Sequence, residues 1–286
     1  MFVILGATGH VGSATARTLL EQGEAVTVVT RDAEKAGNLR ALGAEVAVAD
    51  VHDIATIRDV FRLGRRLFLL NPPAAPDTDT DCVEKETVRH LLAALDGSGL
   101  EKVVAESTYG AQAGDHLGDL NTLHELEQGL GAQPIPHSVI RAAYYMSSWD
   151  MMAASARESG TLPTMFPADL RIPMVAPADL GRVAARLLVE PARHTGIRFV
   201  EGPERYSSTD VAHAFASALG KPVNPLVTPR SQWESTYRQL GFSEPAAKSY
   251  ARMTGVSVDG NFEMPDNPIR GTITLQAYVD ALCSKL

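Results

Sequence analysis

The sequence predicts an α/β fold: a doubly wound parallel sheet with a smaller, mostly helical carboxyl-terminal lobe. Three observations carry this. Short apolar runs alternate with helical patterns through the first half of the chain. The first such run enters a glycine-spaced turn, VILGATGHVG, over residues 3–12. After about residue 142 the alternation loosens, and prolines at 163, 167, 173 and 177 mark a seam. Strand–helix alternation implies parallel strands covered by helices on both faces. Right-handed crossovers then set the topology.

The elements follow in order. Phe2–Leu5 is continuously apolar, as a strand buried on both faces must be. Val11–Gln22 carries Val11, Ala14, Leu19 and Leu20 on one side and stops at Gly23, so a helix is expected. Ala25–Val29 is a second strand, and Asp32–Leu42 a helix closed by Gly43. Glu45–Ala49 is a third strand, followed by a short helix, Asp53–Phe61, with Asp53 as its cap. Arg66–Leu70 is a fourth strand ended by Asn71-Pro72-Pro73. Thr80–Asp96 is a long helix, Lys102–Ser107 a fifth strand, Leu120–Gly129 a helix and His137–Arg141 a sixth strand. Beyond the seam, helices are expected at Leu180–Leu188, Ser208–Leu219, Ser231–Leu240, Glu244–Gly255 and Thr272–Leu286, with one strand at Gly196–Val200. The expected division is residues 1–150 as core and 151–286 as lobe, with segments around 175–202 returning to the core.

Composition excludes several classes. The net charge is −8, and no run of basic residues supplies the cation cluster that nucleic acid requires. The two cysteines, Cys82 and Cys283, are far apart, and the eight histidines are scattered, so neither a disulfide framework nor a metal site is expected. No apolar run approaches the roughly 20 residues of a membrane span. No basic segment precedes an apolar one at the amino terminus, so a cytoplasmic protein is expected. A small-molecule substrate and a monomeric or homodimeric state fit this picture.

Gly6-Ala7-Thr8-Gly9-His10-Val11-Gly12 has the spacing GxxGxxG. Three spaced glycines alone are a weak signal, but here a buried strand precedes them and a helix follows. Glycines let the backbone turn tightly and approach a pyrophosphate, and the helix terminus offers free N–H groups. This is a Rossmann-type site for a dinucleotide. An NAD site commonly ends its second strand in Asp or Glu, which accepts from the ribose 2′-OH. Here that strand ends in Thr30-Arg31. Arg31 can pair with a 2′-phosphate, and Lys35 adds a second positive charge. Asp32 either caps the following helix or repels that phosphate. The charge balance favours NADP(H). Asp50, with Val51 after it, ends the third strand, and either faces the adenine or closes a turn. Asn71, Pro72 and Pro73 lie at the carboxyl edge of the sheet, where open α/β folds bind ligands.

Several segments resemble, in order, the NmrA-like branch of the atypical short-chain dehydrogenases. GATGHVG is similar to its glycine turn, and Glu106-Ser107-Thr108-Tyr109-Gly110 to its serine-rich strand end. Val139–Met146 resembles an "ILRPxxYMxN" segment. Val175–Gly181 resembles its "xDIG" helix start, and Phe199–Glu204 its "GPE" strand end. The resemblance covers nearly the whole chain and is nearest to bacterial NADPH:quinone oxidoreductases of type 2. It implies either a reductase or an NADP(H)-sensing regulator with little turnover, since a fold fixes the cofactor better than the reaction.

A standard short-chain dehydrogenase uses a Tyr-x-x-x-Lys pair for proton transfer. This chain has none: Ala113 stands four residues after Tyr109, and Ser148 four after Tyr144. The resemblance implies a site residue at His124, where many relatives carry lysine. His124 would touch the nicotinamide ribose or carboxamide, act as a proton donor, or be a solvated helix histidine. Ser107, at a strand end, either meets nicotinamide or substrate or satisfies a turn. Tyr109 and Tyr144 either cover the ring or line a wall, and Tyr145, Met146 and Trp149 either shape an apolar pocket or pack. The expected catalytic set is thus His124, Ser107 and Tyr109. Quinone reduction remains chemically accessible without the Tyr/Lys pair, because the cofactor supplies the hydride.

Overall fold

The apolar runs of the first half become the strands of a sheet, buried except at the β3 edge, and the polar-faced segments between them become the covering helices. The structure, a computed structural model, describes residues 1–285. In chain order, β1 (Phe2–Ile4) leads to α1 (His10–Glu21), and β2 (Val26–Thr30) to α2 (Gly37–Ala41). Next, β3 (Glu45–Val48) leads to α3 (Ile54–Arg62), and β4 (Arg66–Leu69) to α4 (Thr80–Leu95). Then β5 (Lys102–Thr108) leads to α5 (Asp119–Gly131) and on to β6 (His137–Ala142).

Beyond β6 come β7 (Tyr144–Tyr145), α6 (Ala153–Ser159), β8 (Thr161–Thr164), β9 (Ile172–Val175) and α7 (Pro177–Val189). β10 (Gly196–Glu201), β11 (Arg205–Tyr206), α8 (Ser208–Leu219) and β12 (Asn224–Val227) follow. α9 (Trp233–Gln239), α10 (Glu244–Asp259), β13 (Ile269–Arg270) and α11 (Leu275–Cys283) complete the described chain.

The main sheet has eight strands in the order β3-β2-β1-β4-β5-β6-β10-β13, all paired in parallel. The reversal of order at β1 makes it doubly wound. β10 pairs with β6, setting Phe199 opposite Arg141. One apolar layer joins α1 and α7 to one face of the sheet, a second joins α3, α4 and α5 to the other, and a third forms the lobe around Met146, Trp149, Leu162 and Phe215. None of the described helices is long and apolar enough to cross a membrane.

Some expected boundaries shift for local reasons. The helix expected over Asp32–Leu42 is broken. Asp32 accepts from the Glu34 amide and closes a 3₁₀ turn over Ala33–Ala36, and only the short α2 follows. α7 begins at Pro177 rather than Leu180, because proline is well suited to a first helical position. α11 begins at Leu275 rather than Thr272, because the Asp179 carboxylate takes the amides of Thr272 and Ile273 and holds them as an extended strap. Leu286, the expected end of that helix, lies outside the described residues. Asp53 and Ser207 cap α3 and α8, Ser207 within a capping box with Asp210.

Candidate functional site

The glycine turn is built as the spacing implies. Gly6 has φ +67°, a left-handed conformation that costs glycine little. A Cβ on Gly12 would lie 2.3 Å from the Gly6 carbonyl oxygen, so the helix start packs directly on the turn. The Gly9 amide donates to that same oxygen at 3.0 Å. Gly9 caps α1 without any side-chain bond, and no acidic residue occupies the first turn. The amides of His10, Val11 and Gly12 therefore lack intrahelical partners. Ala7 is buried beneath the turn while Thr8, Gly9 and His10 are exposed. This is an open cradle of N–H donors that fits a pyrophosphate. Gly12→Ala is expected to cost roughly 1–3 kcal/mol through overpacking; thermal unfolding would read it, and an unchanged midpoint would refute the tight contact.

Arg31 and Lys35 are both exposed just beyond β2. Asp32 turns its carboxylate to the Glu34 amide at 3.0 Å, which is the capping alternative. Among the described residues, no ion pair clamps a carboxylate onto these positive charges. Asp50 is exposed and accepts from the His52 amide at 3.0 Å, as a turn aspartate does, while Val51 is half-buried. Asn71 and Pro72 are half-buried after β4, and Pro73 is exposed. The Asn71 amide group donates to the Glu84 carbonyl at 3.4 Å, while its Oδ1 is buried without a donor among the described residues. An orphaned acceptor on this edge suits a ribose hydroxyl.

At the end of β5 the arrangement departs from expectation. Ser107 does not offer its hydroxyl to a cleft. It is 1% exposed and donates to Glu127 Oε1 at 2.5 Å. Arg141 grips the same carboxylate with two bonds, at 3.0 and 2.7 Å, and reaches Glu263 at 3.1 Å. Burial against this ion pair makes Ser107 a fastening between β5 and α5. Tyr109 is likewise turned aside. Its ring meets Phe199 edge-on at 5.2 Å, and its buried hydroxyl lies towards Glu201, Arg205 and Arg270. Burial pushes that phenol well above its ordinary range.

His124 is half-buried, with Nδ1 buried and unpartnered among the described residues. It lines a cleft of about 300 Å³ with Gly110, Gln112, Arg141, Phe262 and Glu263. Arg141, which lines this cleft with His124, also binds the Glu127 carboxylate that accepts from Ser107. Tyr144 packs into the lobe, edge-on to Phe166 at 5.3 Å and Trp149 at 6.0 Å, and burial pushes it up to about 12. Met146 and Trp149 are core residues of that lobe, the packing alternative of the two the sequence left open.

Four acidic residues of this edge escape sequence patterning. Glu106 is buried beside Ser107 and accepts from the Tyr145 hydroxyl. Burial, opposed by that bond, pushes its carboxyl up to about 7. Glu84 is buried in α4, accepts from the Ala74 amide at 3.0 Å, and shares a hydrogen bond with Asp119 of α5. Burial and the Asp119 charge push it up to about 8. Asp81 receives the Ser249 hydroxyl of α10. A glutamate inside the apolar run Val103-Val104-Ala105-Glu106 was the one local signal available.

This sheet order and glycine turn define a Rossmann-type α/β protein. The chain belongs to the NmrA-like family, whose pattern it matches over residues 1–278. It is 24% identical over 247 residues to an NAD(P)H azoreductase of Xenophilus azovorans, covering 86% of this chain and 84% of that protein. Its fold matches an NADPH-dependent quinone oxidoreductase from Escherichia coli, solved with NADPH, at TM-score 0.81 and 21% identity over 99% of both chains. It also matches a triphenylmethane reductase of Citrobacter sp., solved with NADP(H), at TM-score 0.81 and 18% identity, over 98% of this chain and 99% of that one.

Proposed function

We propose that the protein is an NADPH-dependent reductase of a small, apolar, conjugated acceptor, with quinones the first class to test. The observation that carries this reading is the uncapped start of α1 beside Arg31 and Lys35, with Asp32 turned away. The amides of His10, Val11 and Gly12 would hold the pyrophosphate, Arg31 and Lys35 the 2′-phosphate, and Asn71 with Pro72 and Pro73 the ribose side. Bound reduced nicotinamide supplies a hydride. His124, with its unpartnered Nδ1, is the side chain of its cleft suited to hydrogen-bond the cofactor or the acceptor. The azoreductase, quinone and triphenylmethane relatives all reduce conjugated acceptors by their names, which supports the acceptor class.

The test is stopped-flow oxidation of NADPH with a panel of quinones. Oxidation above the protein-free rate supports the reading, and none sinks it. A regulatory reading is favoured by one observation: the Ser107 hydroxyl is committed to Glu127 rather than to chemistry. That reading predicts tight, unequal binding of NADPH and NADP⁺ with no turnover. Arg31→Ala is expected to weaken NADPH binding about 10- to 100-fold, the worth of one charged hydrogen bond, and to leave NADH unchanged. Fluorescence titration of both cofactors checks it, and equal losses for the two would refute the 2′-phosphate role.

A further inference from the structure

Glu106 is a carboxyl group in a place that should reject one. It is 3% exposed, directly after the apolar run Val103-Val104-Ala105 of β5. Ionising a buried carboxylate is costly unless a cation meets it. Two of the other buried glutamates have such partners, Glu127 with Arg141 and Glu201 with Arg205 and Arg270, while Glu84 has the Ala74 amide and Asp119 in place of a cation. Glu106 meets no cation among the described residues. Its Oε1 accepts from the Tyr145 hydroxyl at 2.5 Å, and its Oε2 is buried without a partner. The groups facing this pair are few. Asp119 of α5 lies towards Tyr145, with Glu84 of α4 bonded to Asp119 and Asp81 behind them.

Its position matters as much as its state. Leu69 pairs with Ala105, and Ile4 with Phe68, so Glu106 is level with Leu70 and Gly6. The Leu70 side chain abuts the glycine turn, since a Cβ on Gly6 would come within 2.2 Å of it. Glu106 thus stands two strands from the turn, about 10 Å away, on the ligand-binding edge of the sheet. Tyr145 is half-buried, with its hydroxyl on Glu106.

Resting on the reductase reading above, we propose that Tyr145 and Glu106 are the proton-delivering pair of that reaction. Bound reduced nicotinamide would supply two electrons and one hydrogen as hydride, leaving one proton for the protein to deliver. The Tyr145 O–H turns from Glu106 to the acceptor and breaks, its proton forming the new O–H bond of the reduced acceptor, while the Glu106 acid O–H becomes the donor across the same contact. The proton of the Glu106 carboxylic acid passes to the Tyr145 oxygen. The Glu106 carboxylate left behind regains a proton from solvent before the next turnover. Per cycle, one NADPH, one quinone and one proton become NADP⁺ and the hydroquinone. Tyr145 is the catalytic residue and Glu106 the positioning and supplying one.

The test compares wild type, Glu106→Gln and Tyr145→Phe for quinone-dependent NADPH oxidation from pH 5 to 9. Glu106 must be neutral to supply a proton, so the wild-type rate is expected to fall as pH rises through about 7. Glu106→Gln is expected to lower kcat about 100-fold, to remove that pH limb, and to leave the Kd for NADPH unchanged. Tyr145→Phe is expected to lower kcat likewise and to move any remaining limb upward, because the bond that favours the Glu106 carboxylate is gone. A Glu106→Gln enzyme with wild-type kcat and pH profile overturns the proposal. Infrared difference titration of wild type against Glu106→Gln reads the carboxyl without turnover. A neutral acid persisting above pH 6 supports the proposal, and a carboxylate at pH 5 overturns it. If wild type holds that neutral acid yet oxidises no NADPH with any acceptor, the reductase reading falls and this role with it.

Discussion

Glu127→Ala is expected to lower stability by about 3–5 kcal/mol, the cost of stranding one member of a buried ion pair. At roughly 2–4 °C per kcal/mol for a chain of this size, the thermal midpoint should fall by about 10 °C. Glu127 is the common acceptor of Ser107 on β5 and Arg141 on β6, so its loss leaves two buried donors unsatisfied. The remaining partner of Arg141, Glu263, is largely exposed and compensates little. Ser107→Ala should cost only about 1 kcal/mol. It should leave kcat for quinone reduction unchanged, because the serine hydroxyl faces Glu127 and not a substrate. Replacing the pair together, Glu127→Leu with Arg141→Met, should recover much of the loss. Urea unfolding of the variants decides this. A Glu127→Ala protein as stable as wild type would show that Arg141 finds another anion, and a collapse of kcat in Ser107→Ala would restore that residue to the chemistry.

How much of this was legible in the sequence follows from how far apart the interacting groups lie. The six strands from β1 to β6 could be read directly, because each holds a short apolar run set between helical patterns. The glycine turn could be read because its requirement is local. β7, β11 and β13 could not, since two residues carry no period and each is fixed by a distant partner, as Tyr144 is by Met174. The cofactor side depended on one local choice, the orientation of Asp32, and a cap two residues away settles it. The site at β5 was less legible. Ser107 sits where a substrate-facing serine would, but its hydroxyl is directed by Glu127, twenty residues away on another element. Tyr109 is likewise turned by Phe199. Glu106 did leave a trace, a carboxylate within an apolar run. Glu84 and Asp119 left none, because nothing local distinguishes them from helix-surface acids until α4 and α5 bury them together.

That buried pair carries the second large expectation: stability should decline as pH rises from about 5 to 9. The Glu84 carboxyl is pushed from 4.5 to about 8, first by burial and then by the neighbouring Asp119 charge. The unfolded chain releases this proton near 4.5, whereas the native protein keeps it until near 8. The stabilising contribution is therefore complete below about 4.5 and is lost as pH rises through the native value. Each tenfold difference in proton affinity is worth about 1.4 kcal/mol, so the loss is on the order of 3–5 kcal/mol. Asp119 is also raised by burial, so the two carboxyls hold a proton between them at neutral pH and repel once it leaves. The same patch anchors α10 to the core, through Ser249 on Asp81 and the Gly118 amide on Ser249 at 3.0 Å. The weakening should therefore appear first as faster amide exchange in α10, before global unfolding. Glu84→Gln keeps the shape and removes the charge, so its midpoint should change far less between pH 5 and 9. A wild-type midpoint as flat as that of Glu84→Gln would mean that the pair is ionised and compensated, and that burial at α4 and α5 is not what sets the alkaline limit of this fold.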